Sequence, residues 1–247
     1  MSAVFDERII PDETDQGAIS IHLKRYIFAR DFCRGKQVLD AACGTGYGTH
    51  NLASVAHHVT GVDLSSEAVK YAFSRYGLPN ISFQIMDVCS FAFPDDSFDV
   101  ICSFETIEHL RDVETYLRGV IRVMKEDGVY LVSTPLSAHS THSPKNPFHC
   151  QEWNLEDFKR LLGQHFNLIK FFGQKRKQMT IHRWLAKADI FHLREKIHSR
   201  FLRKCLSSAV GTTPFRDMRL DDIDIVENDF KNADYIVVVA SSPKKGS

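Results

Sequence analysis

The stretch that decides the fold of this chain is residues 38–49, Val-Leu-Asp-Ala-Ala-Cys-Gly-Thr-Gly-Tyr-Gly-Thr. An apolar, β-branched run ends at Asp40 and passes at once into small residues at 41–46, and a segment compatible with a helix follows at 47–53. Because small residues leave the backbone open, a ligand can approach such a turn closely. The stretch therefore predicts a strand, a tight ligand-binding turn and a helix.

Two acidic residues further along the chain complete a pattern. A second short β run ends in the carboxylate of Asp63, 19 residues after Gly44. A carboxylate at the carboxyl end of a second parallel strand can accept hydrogen bonds from both hydroxyls of a ribose. A third run ends at Asp87, and a fourth strand is expected at 98–104. The intervals between these features indicate a nucleotide-binding α/β unit.

The series Asp40-x-Ala-x-Gly-x-Gly, Asp63, Asp87 and Ser97-Phe-Asp-Val resembles the class I S-adenosylmethionine-dependent methyltransferases. Within that class the chain is similar to the small-molecule group known as methyltransferase type 11. The resemblance covers about residues 35–175 and returns at the last strand. It implies S-adenosyl-L-methionine as the cofactor.

The resemblance also implies a role for each residue of the cofactor site. Asp63 would hold the ribose hydroxyls, and Leu64 would pack on the adenine face. Asp87 would accept from the adenine amino group, while the backbone amide of Val88 would donate to a ring nitrogen. Phe104 would close over the methyl-donor end. The loop beside the methionyl part of the cofactor would be formed by Asp40, Ala42, Gly44 and Gly46.

One position departs from the family pattern. The first small position of the glycine series is Ala42 rather than glycine. Alanine adds one methyl group and still permits the turn provided that φ stays negative. We therefore expect the motif to be preserved.

Two alternative interpretations of the glycine turn are weaker. A dinucleotide fingerprint requires a third glycine at position 49, where Thr49 stands, and it gives Asp87 no role. A glycine turn without any ligand would explain residues 44–46 but would leave the placement of Asp63 and Asp87 to coincidence. The methyltransferase interpretation accounts for all of these positions.

The order of elements predicts an α/β fold, a Rossmann-like, seven-stranded, mainly parallel sheet with an antiparallel last strand, helices on both faces and a helical cap insertion. An amphipathic helix is expected at 17–34, before the first strand. The expected strands are 37–41, 59–63, 81–86, 98–104, 128–134, 167–172 and 234–241, and the later helices are 46–54, 66–76, 112–125 and one that begins at 154.

Three segments are expected along the chain. Residues 1–34 form an amino-terminal segment and a helix over the cofactor crevice. Residues 35–174 together with 233–243 form the cofactor-binding methyltransferase domain. Residues 175–232, which are far more than a hairpin loop needs, form a basic helical insertion or lid.

The charge of the chain is unevenly distributed although the net charge is zero. Residues 175–204 contain ten Lys and Arg but only Asp189 and Glu195 as acids, and apolar residues are interleaved at helical spacing. A solvated helix packed on the core is the default interpretation. A phosphate-bearing or lipid-linked acceptor, or an anionic membrane surface, would also use this charge. Nucleic acid is not favoured because no RNA-binding module accompanies the segment.

Two histidines are the candidate catalytic residues. Transfer of a methyl group to an oxygen or nitrogen acceptor releases a proton, which favours a nearby base. His109 follows the fourth strand and His149 lies in the loop after the fifth strand, both on the crevice side of the sheet. A pocket-lining role remains open for each. Residues 137–150 also contain His139, His142 and Cys150, but they lack the paired spacing of a metal site, and no metal is predicted.

These features predict an enzyme that transfers a methyl group to a small-molecule acceptor, preferably a hydroxyl of a sugar, a glycan or a lipid-linked precursor. A weaker likeness to bacterial methyltransferases of polysaccharide assembly supports that acceptor. A methyltransferase acting on tRNA or protein, and a non-catalytic module with the same fold, remain alternatives. The six cysteines include no C-x-x-C pair, and no signal peptide or long apolar run is present, so we expect a cytoplasmic protein, or one bound peripherally at the inner face of the membrane.

Overall fold

The computed structural model describes residues 9–177 and 215–244. Alternating strands and helices build one sheet with helices packed against it, as the sequence predicts. The strands are β1 (Gln37–Ala41), β2 (His58–Asp63), β3 (Ile81–Ile85), β4 (Phe98–Phe104), β5 (Met124–Pro135), β6 (Phe166–Arg176), β7 (Ile223–Glu227) and β8 (Tyr235–Pro243). The helices are α1 (Gln16–Cys33), α2 (Tyr47–Ala53), α3 (Ser66–Tyr76), α4 (Val113–Val123) and α5 (Leu155–His165).

The strand order in the sheet is β3-β2-β1-β4-β5-β8-β6-β7. Strands β1 to β5 run parallel, whereas β8 is antiparallel to both β5 and β6. The order reverses between β1 and β4, which is where open α/β sheets form a ligand crevice at the carboxyl ends of their strands. The fold thus confirms the predicted class and directs attention to the ends of β1 to β5.

Within residues 9–177 and 215–244 the sheet has eight strands rather than the expected seven. The additional strand, β7, pairs antiparallel with β6, with Arg176 opposite Ile223. Residues 223–227 were expected to belong to the helical insertion, and β6 extends to Arg176 rather than ending before position 175. Both ends of the predicted insertion are therefore part of the sheet. The prediction of a helical lid over the rest of the segment lies mostly outside the described residues.

The first basic residues of the segment 175–204 are neutralised by acids of β7 and the following loop. Lys175 forms an ion pair with Asp229, and the Nζ of Lys177 lies 3.4 Å from Asp224. Because these cations have partners in the sheet, they contribute less to the local charge excess than the sequence implies. Among the described residues, no helix is both long enough and apolar enough to span a membrane.

Helix α1 packs across β4 and α2 and buries an unexpected polar group. Tyr26 and Ala29 belong to its buried face, as does the fully buried Arg25. The Arg25 Nε donates to Gln174 Oε1 at 2.6 Å, and its Nη1 lies 3.4 Å from Glu105 Oε1. A buried guanidinium needs such partners. The helix therefore connects β4 with β6 at the edge of the crevice.

Candidate active site

A cavity of about 690 Å³ opens at the carboxyl ends of the parallel strands. Its walls come from the segments that follow β1, β2, β3, β4 and β5, together with α1. Of the predicted site residues, those that line it are Ala42, Gly44, Asp63, Leu64, Asp87, Val88, Phe104, His109 and His149. The cavity thus brings together both candidate histidines and most of the predicted cofactor residues.

The loop after β1 contains three residues in the left-handed region of backbone space. Gly44 has a φ of 55° and Gly46 a φ of 82°. Ala42 has a φ of 61°, so our expectation of a negative φ at this position is wrong. An L-residue with a Cβ is strained in this region by about 1–2 kcal/mol. The surrounding structure therefore holds Ala42 in a conformation that glycine would adopt freely.

We expect the substitution Ala42→Gly to raise the free energy of unfolding by about 0.5–1 kcal/mol, because relief of the left-handed strain exceeds the entropy that glycine adds to the unfolded chain. Thermal unfolding in the absence of cofactor would measure the change. Ala53→Gly, within α2, is the matched control and should lower stability by about 1 kcal/mol. Equal losses for both variants would contradict the strain at Ala42.

Asp40 and Gly46 do not line the cavity but support its loop from below. Asp40 is fully buried and accepts a hydrogen bond from the Tyr26 hydroxyl at 3.2 Å and another from the Thr49 hydroxyl at 2.6 Å. A Cβ at Gly46 would lie 2.6 Å from the Cβ of Ala72. These residues therefore fix the shape of the turn, and their implied contact with the methionyl group stays a prediction.

Burial raises the pKa of Asp40 to about 7, although the hydrogen bonds from Thr49 and Tyr26 oppose the shift. The unfolded chain loses this proton near pH 4, whereas the folded chain keeps it to about pH 7. The folded state consequently binds more protons in this window, and its stability falls as the pH rises.

We expect the cofactor-free protein to lose about 2 kcal/mol of stability through Asp40 between pH 5 and pH 7. The variant Asp40→Asn cannot ionise and should show a shallower decline over the same interval. Denaturant unfolding of both proteins at several pH values would test this. If the free energy of unfolding changes equally with pH in both proteins, Asp40 is already ionised in the folded state at pH 5.

Asp63 organises the second part of the site. Its Oδ2 accepts from the backbone N–H of Gly44 at 2.9 Å, and its Oδ1 accepts from that of Ser65 at 2.9 Å. The next residue, Leu64, has 71% of its surface exposed although it is apolar. A carboxylate beside an exposed apolar side chain suits a ribose joined to an adenine. These two residues therefore fit the adenosine part of the predicted cofactor.

The segment after β3 contributes a second acid to the same wall. Asp87 is exposed, and its Oδ1 accepts from the backbone N–H of Cys89 at 2.8 Å. Val88 is buried beside it. This turn places a carboxylate and a backbone amide side by side, which is the pair that reads the edge of an adenine in the predicted arrangement.

Residues from α1 and from the ends of β4 and β8 were missed at the sequence level. Tyr26 packs edge-on against Phe104, with ring centroids 5.0 Å apart. His22 lines the cavity beside them, and burial together with the charge of Arg25 lowers its pKa to about 3. The cavity is further lined by Tyr47, Glu105, Asn146 and Tyr235. The one signal for His22 and Tyr26 in the sequence was the prediction that their helix lies over the crevice.

The polar end of the cavity lies after β4 and β5. The ring centroids of His109 and His149 are 5.0 Å apart in an edge-on arrangement. The Nδ1 of His149 lies 2.7 Å from Glu152 Oε1, and the Nδ1 of His109 lies 3.0 Å from the Phe148 carbonyl oxygen. Glu108 is fully buried, and burial together with the Glu105 charge raises its pKa well above its usual value. This end can hold hydrogen-bonding groups and accept a proton.

Backbone hydrogen bonds fix the two loops of the polar end against each other. The carbonyl oxygen of Glu108 accepts from the N–H of Cys150 at 2.8 Å and from that of Gln151 at 3.2 Å. The thiol of Cys150 lies 3.2 Å from the carbonyl oxygen of His109. The positions of the two histidines are consequently constrained by contacts within the protein.

Comparison with known proteins agrees with the fold. A family model described as a methyltransferase domain matches residues 33–189, more than half of the chain. The chain therefore belongs to this family, and it has the fold of the class I S-adenosylmethionine-dependent methyltransferases. S-adenosylmethionine is the cofactor of this class.

Individual relatives share the domain over part of their length. The chain is 37% identical over 133 residues to a probable S-adenosylmethionine-dependent methyltransferase of Mycolicibacterium smegmatis, a match that covers 53% of this chain and 51% of the relative. It is 30% identical over 157 residues to phosphoethanolamine N-methyltransferase 1 of Arabidopsis thaliana, covering 62% of this chain and 30% of that protein. The chain thus matches about half of the mycobacterial relative and less of the plant enzyme.

A solved structure with a similar fold contains a cofactor product. The 1,6-didemethyltoxoflavin-N1-methyltransferase of Burkholderia thailandensis, with bound 1,6-didemethyltoxoflavin and S-adenosylhomocysteine, has a TM-score of 0.57 at 17% identity. The match covers 90% of this chain and 77% of that chain. At 17% identity this similarity shows a shared fold and nothing about the acceptor.

Proposed function

We propose that this chain transfers a methyl group from S-adenosylmethionine to a hydroxyl of a small acceptor, preferably a sugar, a glycan or a lipid-linked precursor. The observation that carries the proposal is the division of one cavity into two ends. The segments after β1, β2 and β3 supply the carboxylates and apolar side chain that fit adenosine. Those after β4 and β5 supply hydrogen-bonding side chains suited to a polar acceptor.

Methyl transfer from a sulfonium is an in-line displacement, so the chief task of the protein is to align the acceptor oxygen with the methyl group and sulfur. In the proposed arrangement Asp63 and Leu64 hold the adenosine, and Phe104 covers the methyl-donor end. The acceptor hydroxyl lies between the methyl group and the histidine pair. His149, oriented by Glu152, then accepts the proton that the hydroxyl loses as the methyl group arrives.

A panel of acceptors tests the proposal. The purified chain would be incubated with S-adenosylmethionine labelled in its methyl group and, in separate reactions, with sugar nucleotides, lipid-linked sugars, phosphoethanolamine, bulk tRNA and a protein acceptor. We expect label only in the hydroxyl-bearing small molecules, at a position stable to mild base. Label in phosphoethanolamine, tRNA or protein alone would contradict the hydroxyl acceptor. A protein that binds S-adenosylmethionine but labels none of the panel would favour a non-catalytic module.

A second comparison within that panel concerns the charge of the insertion. A phosphate-bearing acceptor would be attracted by the basic residues of 175–204. Reversal of the charges at Lys196, Arg200 and Arg203 should then raise KM for phosphate-bearing acceptors while leaving neutral acceptors unaffected. If the variant has the same KM as the parent for both kinds of acceptor, the segment is better interpreted as a solvated helix. Binding of the parent and of this variant to anionic and to neutral vesicles would test membrane contact, which predicts that only the parent prefers the anionic vesicles.

A further inference from the structure

Three potential metal ligands converge at the polar end of the cavity. Glu108, His109 and His149 each offer one ligand atom, and these atoms all lie within 4.8 Å of one another. Glu108 and His109 follow β4, whereas His149 comes from the loop after β5, so the cluster exists only in the folded chain. The sequence predicts no metal because the 137–150 loop alone lacks a paired ligand motif. The ligands that complete the set lie about forty residues earlier in the sequence.

The carboxylate of Glu108 is the clearest sign of a missing partner. The side chain is fully buried at the cavity wall, and neither of its oxygens has a hydrogen-bond partner among the described residues. A buried carboxylate without partners is costly to maintain in either protonation state. The nearby guanidinium of Arg25 donates from its Nε to Gln174 and lies 3.4 Å from Glu105, and it acts on Glu108 through its charge without forming a hydrogen bond to it. A cation bound in the cluster would satisfy this carboxylate directly.

Both histidines carry the second partner that is typical of metal ligands. The Nδ1 of His149 is held by the Glu152 carboxylate and that of His109 by the Phe148 carbonyl oxygen. Because both partners are acceptors, each ring carries its proton on Nδ1 and presents Nε2 as the basic nitrogen. Ligand histidines almost always donate their other N–H to a carboxylate or a carbonyl in this way. The Nδ2 of Asn146 lies 3.0 Å from His149 Nε2, so an ion bound there would replace this hydrogen bond, while the Oδ1 of Asn146 accepts from the Phe148 N–H at 3.0 Å.

The spacing of the cluster is close to that of a bound ion. Nitrogen and oxygen ligands lie about 2.1 Å from a zinc-like ion, so two of them are at most about 4.2 Å apart. The three atoms would therefore have to draw together by less than about 1 Å. The hydrogen bonds from the N–H groups of Cys150 and Gln151 to the Glu108 carbonyl oxygen already hold the loops in register.

We propose that Glu108, His109 and His149 bind one divalent transition-metal ion at the acceptor end of the cavity. Two imidazoles and one carboxylate favour zinc, iron, cobalt or nickel over magnesium and calcium, which prefer all-oxygen sites. Three protein ligands leave open positions that an acceptor hydroxyl can occupy. The use of these open positions rests on the proposed function, because the hydroxyl must be that of the methyl acceptor.

The ion would change the roles of the two histidines. A hydroxyl bound to a divalent ion loses its proton more readily than a free one. In the metal-loaded protein both histidines would be ligands, and the ion would lower the pKa of the bound hydroxyl, so that its proton would pass to solvent as the methyl group moves from sulfur to oxygen. In the metal-free protein His149 remains the proton acceptor described above. A metal ion would consequently increase turnover without being required for cofactor binding.

The test is a metal titration of the full chain after treatment with a chelator. Co²⁺ would be followed by its visible absorption and Zn²⁺ by calorimetry. We expect one ion per chain, with visible bands that indicate nitrogen and oxygen ligands. Glu108→Gln and His149→Gln should each weaken binding at least about 10-fold, and Glu152→Gln about 10- to 100-fold through loss of the second partner. His165→Gln, a histidine of α5 that pairs with Glu114, is the matched control and should bind as the parent does.

Three outcomes would overturn the proposal: no binding of either ion, binding that none of the cluster variants weakens, or bands typical of sulfur ligands. Binding of S-adenosylhomocysteine checks that every variant folds, and His109→Gln replaces Glu108→Gln if the latter does not. Methyl transfer by the chelator-treated protein separates the two proposals. Transfer without any metal binding would remove the metal site but keep the proposed function, whereas metal binding without transfer would do the opposite.

Discussion

Replacement of Asp63 by alanine is expected to weaken the binding of S-adenosylmethionine by at least about 100-fold. In the proposed complex this carboxylate accepts two hydrogen bonds from the ribose, and hydrogen bonds to a charged group contribute about 1.5–3 kcal/mol each. Loss of about 3 kcal/mol corresponds to a factor of more than 100 in Kd. Calorimetric titration of the parent and Asp63→Ala with S-adenosylmethionine would measure the change.

Asp63 also shapes the protein, so a matched control is needed. Its carboxylate holds the backbone N–H groups of Gly44 and Ser65, and alanine would release both. The Oδ2 of Asp99 accepts a comparable hydrogen bond from the Gln37 N–H at 2.8 Å, but Asp99 does not line the cavity. Asp99→Ala should therefore lower the thermal stability while leaving the cofactor Kd close to that of the parent.

A ligand lacking the ribose hydroxyls separates recognition from loop structure. If Asp63 acts on the ribose, an analogue of S-adenosylhomocysteine without these hydroxyls should bind the parent much more weakly than S-adenosylhomocysteine itself. In Asp63→Ala the two ligands should bind almost equally, because the residue that distinguishes them is gone. An undiminished preference for the hydroxylated ligand in the variant would assign the ribose contact to another residue. NAD, titrated in parallel, should not bind either protein.

The placement of residues along the cavity wall after β1, β2 and β3 was largely predictable because it depends on local sequence. Asp63 is the last residue of β2 and Asp87 lies two residues after β3, and the carboxyl ends of parallel strands meet at one edge. The positions of the residues in the cavity wall follow from that rule. Asp40 shows that the rule is not sufficient, because this residue also lies near the end of a strand but is buried behind the loop, where it accepts hydrogen bonds from Tyr26 and Thr49. The direction of a side chain at a strand end depends on packing that the strand pattern does not specify.

The parts that could not be predicted depend on contacts between distant segments. Arg25 belongs to a helix whose apolar spacing marks other positions, and its partners Glu105 and Gln174 lie far along the chain. The inward position of Glu108 arises from a 3₁₀ turn at Ile107–His109, which the sequence did not indicate. Strand β7 was overlooked because the whole of 175–232 was assigned to a helical insertion on account of its length. The alternation of Ile223 and Ile225 with aspartates was the available signal for an edge strand.

The largest expected effect on turnover comes from His149. We expect His149→Gln to lower kcat for methyl transfer by about 10²- to 10⁴-fold, because the acceptor oxygen then keeps its proton until the methyl group arrives. The affinity for S-adenosylmethionine should stay within about twofold, since the cofactor motifs lie after other strands. Single-turnover transfer of labelled methyl to the best acceptor of the panel, at saturating cofactor, measures the chemical step without product release.

The variant Glu152→Gln is the main control for this prediction, because in the proposed mechanism Glu152 acts only by orienting His149. Glu152→Gln should lower kcat less than His149→Gln does, and the double variant should be no slower than His149→Gln alone. His165→Gln should retain the parent rate. If the two losses multiply in the double variant, Glu152 contacts the acceptor independently and the orienting role is wrong. If His149→Gln transfers methyl groups at the parent rate in both chelator-treated and metal-loaded protein, the histidine only lines the pocket. Alignment of the acceptor by the remaining walls would then account for the reaction.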